Sequence, residues 1–285
     1  MEWLERFNQA INYIEENLSA TISYEHAAQM ACCSTFHFQR MFSYITGIPL
    51  SEYIRRRRMT VAAFDLQTHK IKIVDAALKY GYDSPTSFNR AFRSVHGVSP
   101  SIARTEGISL KAFPRISFTV SIKGDVEMNY KIEKKEAFKI VGVKEHMDIE
   151  ESFDKIPLFW QKNLQSGTIS RLSELRVQPP FGVLGVSTCE DSMGFDYYIG
   201  VATNKPAPKG TVEYEVPACT WAIFECVGPV PLAIQELEKR IITEWLPTSG
   251  YDYANAPDIE VLTKGDPQSS TYRSEVWFPI KEKGR

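Results

Sequence analysis

From the start of the chain to about residue 105, apolar side chains return every three or four positions. Beyond about residue 130 they alternate or fall in short runs. The first period is that of helices and the second that of strands. Trp3, Leu4, Phe7, Ile11, Ile14 and Leu18 predict an amphipathic helix within residues 1–20. Two helix–turn–helix units follow. The first runs Tyr24–Met30, a turn at Ala31-Cys32-Cys33, then Thr35–Ile45; the second runs Val74–Tyr80, a turn at Gly81-Tyr82-Asp83, then Pro85–Val95. Ser34 and Ser84 stand where a hydroxyl caps a helix start, and Gly47 and Gly97 stand where helices end. Ser51–Thr68 predicts a connecting helix that fixes the spacing of the two units.

The two units are copies. A shift of 50 residues superposes Ala27 on Ala77, Ser34 on Ser84, Phe38 on Phe88, Arg40 on Arg90, Phe42 on Phe92 and Gly47 on Gly97. The second helices carry matching apolar stripes, Phe38, Met41, Phe42 and Ile45 in one, Phe88, Ala91, Phe92 and Val95 in the other. Stripes of this kind face a core, so the opposite faces should point outward. Those faces hold Phe36, Gln39, Arg40 and Ser43 in the first unit and Thr86, Asn89, Arg90 and Arg93 in the second. Such donors near a helix start suit base edges in the major groove. The plainer alternative is two helical hairpins with solvated polar faces. A repeated cap, stripe, polar face and closing glycine favours duplex DNA, with two recognition helices about 34 Å apart.

Net charge changes the picture only when it is mapped. The whole chain carries −2, which argues against a polyanion partner. Residues 34–108 carry 11 basic and 5 acidic side chains, or +6, whereas residues 1–33 carry −4. A local positive surface is what DNA meets. The run Arg55-Arg56-Arg57-Arg58 cannot all face one way on a helix, so phosphate contact and internal pairing both stay open for it. His37 and His96 lie in the helix–turn–helix units and point to a role near DNA.

A length of 285 residues suits two domains, and we place the boundary near residue 108, giving 1–108 and 109–285. Ile116–Ile122 reads as a strand, followed by Phe138–Val143, Phe181–Ser187, Tyr197–Ala202, Thr220–Val227, Ile259–Leu262 and Glu275–Ile280. Helical patterns interrupt them at about Ser152–Leu164 and Leu232–Leu246. The order of strand, helix, strand, strand occurs twice. Two such βαββ halves make an α+β domain whose central seam suits a small ligand. Aromatic side chains are dense here, among them Trp160, Phe195, Tyr197, Tyr198, Trp221 and Trp277. Glu275 shares a strand face with Trp277 by alternation. A carboxylate among aromatic rings would favour a flat or lipophilic cation, while the ordinary alternative is a salt-bridged glutamate on a half-exposed strand.

Residues 1–106 resemble the DNA-binding domain of the AraC/XylS family, in its MarA/Rob-like branch. The resemblance rests on Phe36-His37-Phe38-Gln39-Arg40-Met41-Phe42, Gly47, Tyr53-Ile54-Arg55, Tyr80-Gly81-Tyr82, Arg90-Ala91-Phe92 and Gly97-Val98-Ser99-Pro100. It implies base contacts from Phe36, Gln39 and Arg40, with Thr86, Asn89 and Arg90 in the second unit. Phe36 stands where that family often has Trp, and Pro85 where those relatives place Gln. Residues 110–285 are similar to GyrI-like effector-binding domains, through Phe195–Val201, Pro217–Phe224, Trp245–Tyr251 and Glu275–Ile280. That similarity implies Glu275 at the base of an aromatic pocket for lipophilic, often cationic, molecules, with Trp221 where Tyr is common.

Signatures of catalysis are missing from the sequence: there is no G-x-S-x-G, H-E-x-x-H, phosphate-binding glycine loop or C-x-x-C. We expect no catalytic residues, metal or cofactor. The expected partners are double-stranded promoter DNA and a small effector, with RNA polymerase a further candidate. Two alternatives stay open: an effector domain in which Glu275 activates water against reactive electrophiles, and a ligand-free protein-docking module. No secretion signal or apolar run of about 18 residues occurs, and the five cysteines, adjacent Cys32 and Cys33 with scattered Cys189, Cys219 and Cys226, read as reduced and packed; both point to the cytoplasm.

Overall fold

Trp3, Phe7, Ala10, Ile11 and Ile14 form one stripe, and all are buried along helix α1 (Glu2–Glu16). The computed structural model describes residues 2–68, 71–118, 127–188 and 194–283. The chain divides into two compact units, Met1–Phe38 with Thr46–Thr119, and Gln39–Ile45 with Val120–Arg285. Cys189 lies outside the described residues.

Helices α2 (Tyr24–Met30) and α3 (Thr35–Thr46) form one helix–turn–helix, with Gln39–Ile45 of α3 counted in the second unit, and α5 (Ile73–Lys79) and α6 (Pro85–His96) form the other within the first unit. The long α4 (Leu50–Thr68) joins them. Ser34 Oγ accepts the His37 N–H at 3.2 Å and Ser84 Oγ the Ser87 N–H at 3.2 Å, so both expected caps form. Gly97 closes α6 at φ 80°, a left-handed turn open to glycine. The 50-residue register holds for α3 and α6 only. Cys33 N–H donates to Ala28 O as Tyr82 N–H donates to Ala77 O, so α2 and α5 correspond at a shift of 49. One extra residue separates the left-handed Gly81 (φ 80°) from its cap, compared with Cys32 (φ 55°).

The second helix–turn–helix packs on the C-terminal half of α4. Met59, Ala62 and Leu66 meet Ala76, Ala77, Tyr80, Phe88, Phe92 and Val95. Buried Asp65 accepts from Tyr80 Oη at 2.7 Å and Lys79 Nζ at 2.6 Å. All four arginines of the α4 run have internal partners. Arg55 and Arg56 both donate to Glu52, Arg57 to Glu15 and Phe113 O, and Arg58 to the carbonyls of Leu18 and Ala20. The run therefore ties the first unit together.

The expected boundary near residue 108 moves to after Thr119. Residues 109–118 run along the first unit without helix or strand. Phe113 N–H donates to Thr60 Oγ1, Ile116 N–H to Tyr53 Oη, and Phe118 N–H to Asn8 Oδ1. These side chains use the backbone groups that a sheet would otherwise pair, so the expected strand is absent over Ile116–Phe118; the remainder of that expectation lies outside the described residues.

The second unit holds one sheet of β1 (Tyr130–Lys135), β2 (Phe138–Asp148), β3 (Val183–Ser187), β4 (Gly194–Ala202), β5 (Val212–Val216), β6 (Cys219–Val227), β7 (Tyr251–Tyr253), β8 (Asp258–Leu262) and β9 (Arg273–Glu282). Its order is β1-β6-β9-β8-β3-β4-β2-β5, with β7 beside β9. The expected duplication is plain in this order. One half is β2, α7 (Ser152–Gln165), α8 (Thr168–Leu175), β3 and β4. The other is β6, α9 (Leu232–Arg240), β8 and β9. The halves meet at the antiparallel β3–β8 pair, where Gly185 faces Glu260 and Ser187 faces Asp258. Each half also lends an edge strand, since β1 pairs with β6 and β5 with β2. After α9 the chain makes a π-helical stretch, Ile241–Trp245.

Candidate functional site

The outer face of α6 stands as expected. Thr86, Arg90 and Arg93 are exposed and Asn89 half-exposed, while Phe88, Phe92 and Val95 are buried beneath. Arg55 Nη1 donates to Ser94 Oγ, which anchors the far end of this helix to α4. The matching face of α3 departs from expectation. Phe36, Gln39, Arg40 and Ser43 are all buried, so α3 has no solvated side along these positions. A polar position opposite an apolar stripe faces water only where nothing polar covers it. Here Gln39–Ile45 belong to the second compact unit, where Arg40 meets Asp258 and Glu238, while Ser43 Oγ turns back to donate to Gln39 O. The histidines also turn inward. His37 Nδ1 lies 2.8 Å from Ser34 Oγ, and His96 Nε2 lies 3.0 Å from Met59 O, with burial lowering the His96 pKa. Both are packing residues.

In the second unit three carboxylates converge. Asp258 and Glu260 alternate with Ile259 along β8, so both project from one face. Glu238 comes from α9 and is 4% exposed. The guanidinium of Arg40 sits among them, with Nε 3.3 Å from Asp258 Oδ2 and Nη2 3.7 Å from Glu238 Oε1. Nη2 also donates to Tyr44 Oη at 2.8 Å, and the guanidinium carbon lies 5.8 Å from the centre of the Phe195 ring. Tyr253 Oη donates to Asp258, and Tyr197 Oη lies 3.5 Å from Glu260 Oε2 while accepting Trp160 Nε1–H at 2.8 Å. Gly185 leaves this face open. A Cβ there would collide with the Tyr197 hydroxyl and stand 3.2 Å from Glu260 Oε2.

Burial dominates the electrostatics. It pushes Glu238 up to about 8 and Glu260 up to about 7, against the pull of the Arg40 charge, and it raises Asp258 as well. Burial acts against the charged form of Arg40, yet Tyr44, Asp258 and Glu238 more than offset it and raise its pKa. The cluster is thus a buried place for one positive charge, walled by aromatic rings.

The expected ligand set does not form one site. Register places Tyr197, Phe195, Asp258 and Glu260 on one sheet face, with Trp160 bonded to Tyr197. Tyr198, Trp221, Trp277 and Glu275 lie on the other, where the first three join a core with Leu184, Ile223 and Val261. Glu275 is half-buried and accepts Trp277 Nε1–H at 2.7 Å. It therefore does not underlie the cluster around Tyr197, because one step along a strand reverses the face. The residues overlooked had a signal. Glu238 falls four positions after Ile234 and three before Ile241, inside the apolar stripe of α9, and Asp258 and Glu260 alternate with the apolar residues of a short strand.

Cysteine placement is mixed. Cys226 is buried, Cys33 and Cys219 are half-buried, and Cys32 is exposed, so the expectation of packed thiols fails at Cys32. Among the described residues, no helix is long and apolar enough to cross a membrane.

Residues 128–281 match the family described as the GyrI-like small molecule binding domain, and residues 27–106 match a helix-turn-helix domain family. The transcriptional activator AarP of Providencia stuartii is 43% identical over 97 residues, which are 34% of this chain and 72% of that protein. The regulatory protein SoxS of Salmonella typhimurium is 36% identical over 91 residues, 32% of this chain and 85% of its own length. Among solved structures, SAV2435 bound to tetraphenylphosphonium superposes with a TM-score of 0.50 at 25% identity, covering 54% of this chain and 94% of SAV2435.

Proposed function

We propose, for a chain that belongs to the AraC-type helix-turn-helix transcription regulators and carries a GyrI-like small molecule binding domain, that its effector is a lipophilic cation. Asp258, Glu260 and Glu238 would hold the charge, and Phe195, Tyr197 and Trp160 would face its apolar surface. The observation that carries this reading is the buried guanidinium of Arg40 among those three carboxylates. A site that pays the desolvation of one cation through carboxylates and rings suits another of similar charge. The superposition on a protein bound to tetraphenylphosphonium supports the same ligand chemistry. Calorimetry with tetraphenylphosphonium provides the test. Glu260→Gln should weaken binding about tenfold or more, and Glu275→Gln should leave it near wild type. Affinity in the unaltered protein should also rise with pH as Glu260 and Glu238 lose their protons through about 7 and about 8. Equal affinity in Glu260→Gln and wild type would reject the assignment.

For DNA, Arg90, Thr86 and Asn89 on α6 would reach base edges, Arg93 would meet phosphate, and Phe36, Gln39, Arg40 and Ser43 would join them whenever the polar side of α3 is free. Arg90→Ala should cost specific binding about 1–3 kcal/mol and spare binding to random duplex, whereas Arg93→Ala should lower both and flatten the salt dependence. Fluorescence anisotropy over a salt series separates the two. Equal losses on specific and random duplex for Arg90→Ala would remove it from base reading. The name of the Providencia relative describes an activator. A like role for this chain would act through RNA polymerase.

A further inference from the structure

We propose that Arg40 and the effector cation are alternative occupants of one seat, so that a bound effector frees the polar side of α3. This rests on the cation reading given above and goes beyond it, because it makes the protein's own side chain a competitor. The geometry is that of a ligand. The guanidinium of Arg40 is held by Asp258 at 3.3 Å and Glu238 at 3.7 Å, beside the Phe195 ring at 5.8 Å. Those groups come from β8, α9 and β4, three elements that also build the cluster. Arg40 side-chain exposure is 10%, and those of Glu238 and Asp258 are 5% and 7%. The same helix position superposes on Arg90 at the shift of 50, and Arg90 is exposed. Two copies of one pattern therefore present the same residue type in opposite ways. The difference lies in what faces them, since Gln39–Ile45 belong to the second compact unit and the matching stretch of α6 does not.

A monocation entering among Asp258, Glu260 and Glu238 would meet Arg40 at a distance where like charges repel in a buried site. Both cannot keep full contact with the same oxygens. Occupation of the seat by Arg40 lowers apparent effector affinity by the fraction of molecules in which the seat is open. The coupling is reciprocal: whatever holds α3 elsewhere must raise affinity for the cation.

The test uses the full chain and tetraphenylphosphonium. Hydrogen exchange of the unaltered protein is read over Gln39–Ile45 and over α6, with and without saturating cation. Exchange over Gln39–Ile45 should speed up and that over α6 should stay constant. In parallel, Arg40→Ala should bind the cation about tenfold more tightly at a pH above the raised values of Glu260 and Glu238. If the cation binds and leaves exchange over Gln39–Ile45 unchanged, the competition is wrong, and the cation site itself survives. If no heat of binding appears in wild type or Arg40→Ala, the cation reading fails and the competition falls with it. Should Arg40→Ala fold poorly, the exchange measurement on the unaltered protein decides alone.

Discussion

Phe88→Ala is expected to remove about 3–5 kcal/mol from the stability of the first unit. Phe88 is fully buried, 5.8 Å from the Phe92 ring and 5.6 Å from that of Tyr82. It is the first large side chain of the α6 stripe, so it fixes how the helix lies on α4. Truncation leaves a void among Ala76, Ala77 and Ala91, side chains too short to fill it. Urea unfolding followed by circular dichroism measures the loss. Phe64→Ala is the control, because Phe64 is 57% exposed and its removal should cost less than about 1 kcal/mol. Similar losses for the two would show that the α6 stripe is not the core of the second helix–turn–helix.

Arg57→Ala should be of comparable size, about 3–5 kcal/mol, for a different reason. Arg57 Nη2 meets Glu15 Oε2 at 2.7 Å, its Nε meets Oε1 at 2.9 Å, and its Nη1 donates to Phe113 O at 2.6 Å. The Glu15 side chain is only 7% exposed and also accepts from Tyr53 Oη at 2.6 Å. One guanidinium thus joins α1, α4 and the segment 109–118. Its removal leaves a carboxylate and a carbonyl without their strongest donor, and that penalty exceeds the worth of the pair itself. Replacing both partners, as Arg57→Met with Glu15→Leu, should recover most of the loss. Failure of the double variant to recover would mean that Phe113 O, not Glu15, is the costly orphan.

The helices of the first unit were legible because caps, stripes and closing glycines agree there. Ser34, Ser84 and Gly97 each do in the structure what their residue types favour locally. What the sequence could not show was the company of α3. Local pattern marks Gln39 and Arg40 as polar, and polarity is equally consistent with water or with a buried carboxylate. The six main strands were legible as runs of β-branched and aromatic residues. β1 and β5 were missed because Lys131, Glu133, Lys134 and Lys135, and Glu213 and Glu215, make short charged edges that read as loops. Glu275 lies apart from the carboxylate cluster for a geometric reason. Alternation tells which residues share a face within a strand, but only the register across β9, β8, β3 and β4 tells that Glu275 and Glu260 are on opposite sides.

The exchanged edges of the sheet carry a mechanical consequence. With β1 on β6 and β5 on β2, each repeat is clasped by a ribbon belonging to the other, and the seam at β3–β8 lies midway between the clasps. A wedge driven into that seam from the Asp258 and Glu260 side cannot tilt one repeat alone. Its strain would be shared by both outer borders of the sheet, so that the whole domain, and not one loop of it, would yield as a single lever.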